Sequence, residues 1–200
     1  MSEALVGERV PRRSPGPTTG TMGMLLFILT EATLFATFLV SYFFLRFQST
    51  PRWPPDGIET PTLVLPSIMT VILLSSSVPM HIADAGIRRG SRLRLRLGLL
   101  ASFVLGTIFL GLQAVEYVEK LREFTPQTNA YGSLFFMITG FHGAHVAGGL
   151  LLNLWVQIQA GRGFYGPARH LTVRNVALYW HFVDAVWIAI FSSLYLAAAL

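Results

Sequence analysis

Five uninterrupted apolar runs divide this chain, and they leave it few folds to adopt. They cover about residues 22–45, 63–86, 97–118, 131–157 and 173–200. A helix of about 20 apolar residues crosses the ~30 Å hydrocarbon core of a bilayer, and every run is longer than that. Inside hydrocarbon no water is present to satisfy backbone N–H and C=O groups, so a spanning segment must be a helix or part of a closed barrel. Barrel strands alternate apolar and polar residues, whereas these runs are continuous. The sequence therefore predicts an all-α membrane protein, a five-transmembrane-helix bundle over residues 22–200. Residues 1–21 are rich in proline, glycine and charge, with no apolar period, and read as a disordered tail. The run after them exceeds the 7–15 apolar residues of a signal peptide and lacks a clear small-residue cleavage site, so it is read as retained. Glu3 and Glu8 argue against an organellar transit peptide.

The charges fit a membrane chain. Only 12% of residues are charged, against about 25% in a soluble domain. There is no cysteine, which excludes disulfides, thiolate metal sites and iron–sulfur clusters. A net charge of +5 would point to nucleic acid in a soluble protein. Here most basic residues sit in short loops beside apolar runs, where they record orientation, and no nucleic-acid partner is expected. With five spans, eleven arginines fall on one side: Arg9, Arg12 and Arg13 in the tail, five in the 88–96 loop (RRGSRLRLR), and Arg162, Arg169 and Arg174. Arg46, Arg52, Lys120 and Arg122 fall on the other. That asymmetry predicts a cytoplasmic N-terminus and a C-terminus outside. An even number of spans would spoil the sorting.

Polar groups inside the spans are the functional candidates, because ionisable residues there are costly and rare. They are Glu31 in the first run, Glu116 in the third, His142 and His145 in the fourth, and His181 and Asp184 in the fifth. The fourth run, YGSLFFMITGFHGAHVAGG, also carries Gly140, Gly143, Ala144, Ala147 and Gly148 at spacings that let another helix approach closely. Depth follows from helix rise: Glu31 lies about 14 Å, Asp184 about 15 Å and His145 about 18 Å from the cytoplasmic side. Glu31, His145 and His181 are thus expected in one hydrogen-bonded layer. His142 and His145, at i and i+3, have two open readings: ligands to a metal or haem, or packing residues that donate hydrogen bonds. His181 and Asp184 resemble an orienting carboxylate–histidine pair, or helix–helix glue. Glu116 is expected to reach the outer interface. His81 and Asp84, near the end of the second run, are expected to meet water, and Pro79 to kink that helix.

Four motifs, in order, resemble subunit III of the haem–copper oxidases, the cytochrome c oxidase subunit III family, in its compact five-helix bacterial form. They are FILTEATLFATFLVSYFF around Glu31, LQAVEY from Leu112 to Tyr117, the histidine helix above, and YWHFVDAVWIAIF from Tyr179 to Phe191. Longer members have two further helices forming one wall of a lipid-filled cleft, and this chain starts where their third would. The resemblance implies a multi-pass subunit of the bacterial plasma membrane with no haem or copper of its own. It implies direct packing on catalytic subunit I, with subunit II and a small subunit IV as further partners, and bound phospholipid. The partner subunits then hold the haem and copper and reduce oxygen to water. His142 and His145 become structural or lipid-facing, and Glu31 the first candidate for a proton- or lipid-linked role. A quinol oxidase or nitric oxide reductase homologue, or an independent proton-coupled carrier, are the alternative readings.

Overall fold

The computed structural model describes residues 18–49, 53–55, 58 and 62–199. The tail at 1–17 lies outside them. Five helices are long and apolar enough to span a membrane: α1 (Thr19–Gln48), α2 (Val64–Arg88), α3 (Arg92–Glu123), α4 (Ala130–Gly161) and α5 (Leu171–Ile190). α5 continues through a π-helical stretch (Phe191–Leu196) into a last turn (Ala197–Ala199).

Most helices extend beyond their apolar runs, because capping groups rather than hydropathy set their ends. Thr18 Oγ1 accepts from Thr21 N, so α1 starts at Thr19 and not at 22. Ser91 Oγ accepts from Arg94 N, so α3 begins within the basic stretch read as a loop. Arg92, Arg94 and Arg96 are exposed on its first turns, and the true turn is Arg89–Ser91, with Gly90 at φ 79°. Asn129 Oδ1 accepts from Gly132 N at 2.9 Å and opens α4 at Ala130. α2 is one unbroken helix through Pro79.

Helices α2 to α5 form a four-helix bundle, with α2 and α3 in the most extensive contact. Gly98 makes that approach possible: a Cβ there would stand 2.4 Å from the Pro79 carbonyl oxygen. Buried Leu95, Leu99, Ser102, Gly106, Phe109, Gln113, Glu116 and Lys120 of α3 follow a three-four spacing that draws one stripe down the helix, with buried Gly98 beside it. The core is filled by Trp180, Trp187, Phe109, Phe135, Tyr131 and Tyr195. Trp180 occupies a slot between Gly106 on α3 and Gly149 on α4. A Cβ would lie 2.6 Å from its ring at the first and 2.9 Å at the second. Both core tryptophans of α5 are tied to α2. Trp180 Nε1 donates to Ser76 Oγ at 2.8 Å, and Trp187 Nε1 to Thr70 Oγ1 at 2.9 Å.

α1 is peripheral. It packs on α4 and α5, and buries only Thr21, Phe35 and Tyr42. Those positions are multiples of seven apart, which is the period of a single narrow seam between helices. Arg46 donates to the Ala197 carbonyl and ties the end of α1 to the last turn of α5. Leu25, Leu29, Val40, Phe44 and Phe47 stay exposed, as a lipid-facing surface requires.

Candidate functional site: polar groups within the bundle

Glu31 and His145 meet. His145 stands on α4, where its Nδ1 lies 2.7 Å from the Phe141 carbonyl one turn back. A carbonyl only accepts, so Nδ1 carries the proton. Nε2, 3.0 Å from Glu31 Oε2, is then the exchangeable nitrogen. The pair has two consistent states. Either a protonated Glu31 donates to neutral Nε2, or an imidazolium donates to the carboxylate. One proton is shared between α1 and α4 in both. Phe35 sets its ring edge-on to His145 at 5.0 Å, and Tyr179 Oη donates to the His145 carbonyl at 3.0 Å. The side chains are 14% and 22% exposed, so the pair lies at the rim of the bundle, open to the lipid side.

His181 is not in that layer. Helix rise gave its depth, but depth says nothing of azimuth. Successive residues turn by about 100°, so His181 points about 200° away from Tyr179, the residue that faces α4 and Glu31's side of the bundle. His181 instead faces α2, with Nδ1 2.8 Å from Ser77 Oγ. Ser77 Oγ also donates to Asp184 Oδ2. His181 and Asp184 are joined through this serine rather than directly, their nearest N···O approach being 4.0 Å.

His142 lies in the core, not against lipid. Its ring packs on Trp187 at 5.1 Å, Phe109 at 5.7 Å and Phe35 at 6.4 Å. Neither nitrogen has a hydrogen-bond partner among the described residues, so it donates to no neighbouring helix. The same helix turn thus sends one histidine inward and the other to α1. Among the described residues no group of three or more His, Cys, Asp or Glu side chains is placed to hold a metal ion.

Glu116 does not reach the interface. It is 4% exposed, and its Oε2 accepts from Tyr195 Oη at 3.2 Å. Tyr195 stands in the π-helical stretch, eleven residues beyond Asp184 and on the same inward side, and is fully buried. The rest of LQAVEY clasps α4. Gln113 Nε2 donates to the Thr139 carbonyl at 2.7 Å, and Tyr117 Oη and Thr139 Oγ1 stand 2.7 Å apart. Nearer the other end, Asn153 Nδ2 donates to the Leu99 carbonyl at 3.2 Å. Asp84 is paired with Arg88 at 3.0 Å, one turn on along α2. Ser77, Thr139 and Asn153 were not among the sequence candidates. The run Ser75–Ser77 in an apolar helix was the available signal for the first.

The arrangement holds two carboxyl–imidazole assemblies on opposite sides of α5 and a set of neutral clasps. It can share and hold protons.

A family model described as cytochrome c oxidase subunit III matches residues 16–199. Cytochrome c oxidase subunit 3 of Thermostichus vulcanus is 36% identical over 181 residues, covering 90% of this chain and 88% of the relative. Its counterpart in Synechocystis sp. is 38% identical over 181 residues, covering 90% and 76%. A probable cytochrome c oxidase subunit 3 of Mycobacterium tuberculosis is 34% identical over 180 residues, covering 90% and 88%.

Proposed function

The chain belongs to the cytochrome c oxidase subunit III family, and on that premise we propose that it is the non-catalytic third subunit of a bacterial haem–copper terminal oxidase. In this reading it packs on subunit I, beside subunit II and a small subunit IV, in the plasma membrane. It stabilises the catalytic subunit, binds phospholipid and supports proton uptake during oxygen reduction, with cytochrome c as the electron donor. The haem and copper belong to the partner chains. The arginine asymmetry supports a cytoplasmic N-terminus and a C-terminus outside.

The observation that carries the reading is the match along residues 16–199, together with relatives alike over 90% of this chain. The geometry supports a supporting role. The core is aromatic and tightly packed, and its polar contacts clasp helices to one another. Glu31 and His145 are the candidates for the proton- or lipid-linked role, because they share a proton where the bundle faces lipid. Glu116, His181 and Asp184 are buried or half-buried groups that bond α3 and α2 to α5 and its continuation, and His142 packs from α4 among the core aromatics.

Mild-detergent purification of a tagged chain tests the reading. Co-purification of a haem-bearing partner that oxidises cytochrome c is the expected result. A solitary chain that catalyses transport would overturn it, and activity with quinol alone would replace the donor.

A further inference from the structure

A cavity of about 310 Å³ opens between the end of α2 and the start of α5, lined by His81, Asp84, Arg88, Arg174, Leu178 and His181. The His181 side chain is 42% exposed, and its Nδ1 faces inward to Ser77 Oγ at 2.8 Å. Ser77 in turn bonds Asp184 Oδ2. The Asp184 side chain is 6% exposed, and its other oxygen is buried without a partner among the described residues. Asp184 lies ten residues beyond Arg174, about 15 Å along the helix. A continuous line of exchangeable groups therefore leads from a water-accessible mouth to a carboxyl inside the bundle.

We propose that His181, Ser77 and Asp184 form a proton relay that loads Asp184 from water in this cavity. The three groups have two complete hydrogen-bonding patterns. In the first, Asp184 is a carboxylate, Ser77 donates to Oδ2, and His181 Nδ1–H donates to Ser77 Oγ. His181 Nε2 then holds a free lone pair. A hydronium ion in the cavity protonates Nε2 and leaves as water. Nδ1 passes its proton to Ser77 Oγ, and Ser77 passes its own to Asp184 Oδ2. The second pattern results: Nε2 carries a proton, Nδ1 accepts from Ser77, and Ser77 accepts from Asp184. One proton has entered, the carboxylate has become an acid, and the imidazole is neutral at both ends.

The charges around the relay are Asp84, Arg88 and His81 from α2 and Arg174 from α5. The Asp84 carboxylate favours the transient imidazolium, whereas Arg88, Arg174 and a protonated His81 oppose it. Glu31, on α1 across α5, is engaged with His145. The buried, unpartnered Oδ1 gives the proton no further carrier among the described residues, so the relay fills and empties through one mouth. It is a property of this fold and stands apart from the oxidase reading.

Infrared spectroscopy of the tagged full chain, purified in mild detergent with whatever accompanies it, tests the relay. The sample is titrated from alkaline to acid, and the C=O stretch of protonated carboxylic acids is followed. A band lost in Asp184→Asn belongs to Asp184. Its hydrogen–deuterium exchange is expected to slow about a hundredfold in Ser77→Ala, the lower end of what a positioned proton-transfer group contributes. His181→Gln should slow it likewise, and Ser77→Thr should keep it fast. No Asp184 band at any pH, or unchanged exchange in both Ser77→Ala and His181→Gln, overturns the proposal.

Discussion

Gly106→Ala is expected to be among the most damaging single-methyl additions to this bundle. The new Cβ would stand 2.6 Å from Cη2 and 2.9 Å from Cζ2 of Trp180, and 3.0 Å from Leu150 Cδ2. Carbon atoms pack best at about 3.5–4.0 Å, so the indole would have to retreat by about 1 Å. It cannot do so freely. Gly149 closes the slot from the other side, where a Cβ would itself be 2.9 Å from Cε3, and Nε1 is tethered to Ser76 Oγ at 2.8 Å. Overpacking of this kind costs about 1–3 kcal/mol. Stretching the tether adds about 1 kcal/mol. At about 2–4 °C per kcal/mol for a chain of this size, the loss of about 2–4 kcal/mol lowers Tm by about 5–15 °C. The assay is thermal melting in mild detergent by circular dichroism. Gly111→Ala is the control: it is the same substitution on the same helix, with nothing within 4 Å of the added methyl. It should hold or raise Tm, since it removes a helix-interior glycine worth about 0.5–1 kcal/mol. If Gly106→Ala melts no lower than Gly111→Ala, the slot does not constrain the bundle and the packing argument fails.

Glu31→Gln should leave stability within about 1 kcal/mol of the parent, about 2–4 °C in Tm, because an amide can still donate to His145 Nε2. The assembled oxidase should keep its optical spectrum but lose sustained turnover; unchanged activity over many turnovers removes Glu31 from the functional set. Tyr195→Phe leaves Glu116 Oε2 buried without its donor and should cost about 1–3 kcal/mol, read as a lower Tm, while Tyr195→Phe combined with Glu116→Leu should recover part of it. Topology is open to clean labelling, since the chain has no cysteine of its own. Single cysteines at 89 and 168 should resist a membrane-impermeant maleimide added outside intact cells, and one at 127 should react; the reverse pattern refutes the orientation.

Hydropathy made the number of helices legible, because a continuous apolar run has no other way to satisfy its backbone in lipid. Helix ends were less so. Arg92, Arg94 and Arg96 read as loop from charge alone, yet Ser91 caps the helix that carries them and they project outward. Depth arithmetic placed Glu31 and His145 at a common level, and the structure joins them. The same arithmetic put His181 there too, and failed because it carries no angle around the helix. Glu116 was misplaced for a like reason: its level near the end of the run says nothing of its face, and it continues the buried stripe of Phe109, Gln113 and Lys120 on α3, where Tyr195 meets it. Ser77 is one of three consecutive serines, and only its facing relative to α5 distinguishes it.

The peripheral seat of α1 has a consequence for the order in which the protein is made. The partners of α1 are α4 and α5, which leave the ribosome after the other three helices. Glu31 and His145 are 114 residues apart in the chain. At synthesis rates of about 5–20 residues per second, on the order of 10 s pass between them. Throughout that interval the first helix waits in or beside the insertion machinery with its carboxyl unmatched, and it docks only when the bundle it must lean on has been completed. Of these five helices, the first to enter the bilayer is therefore the last to find its place.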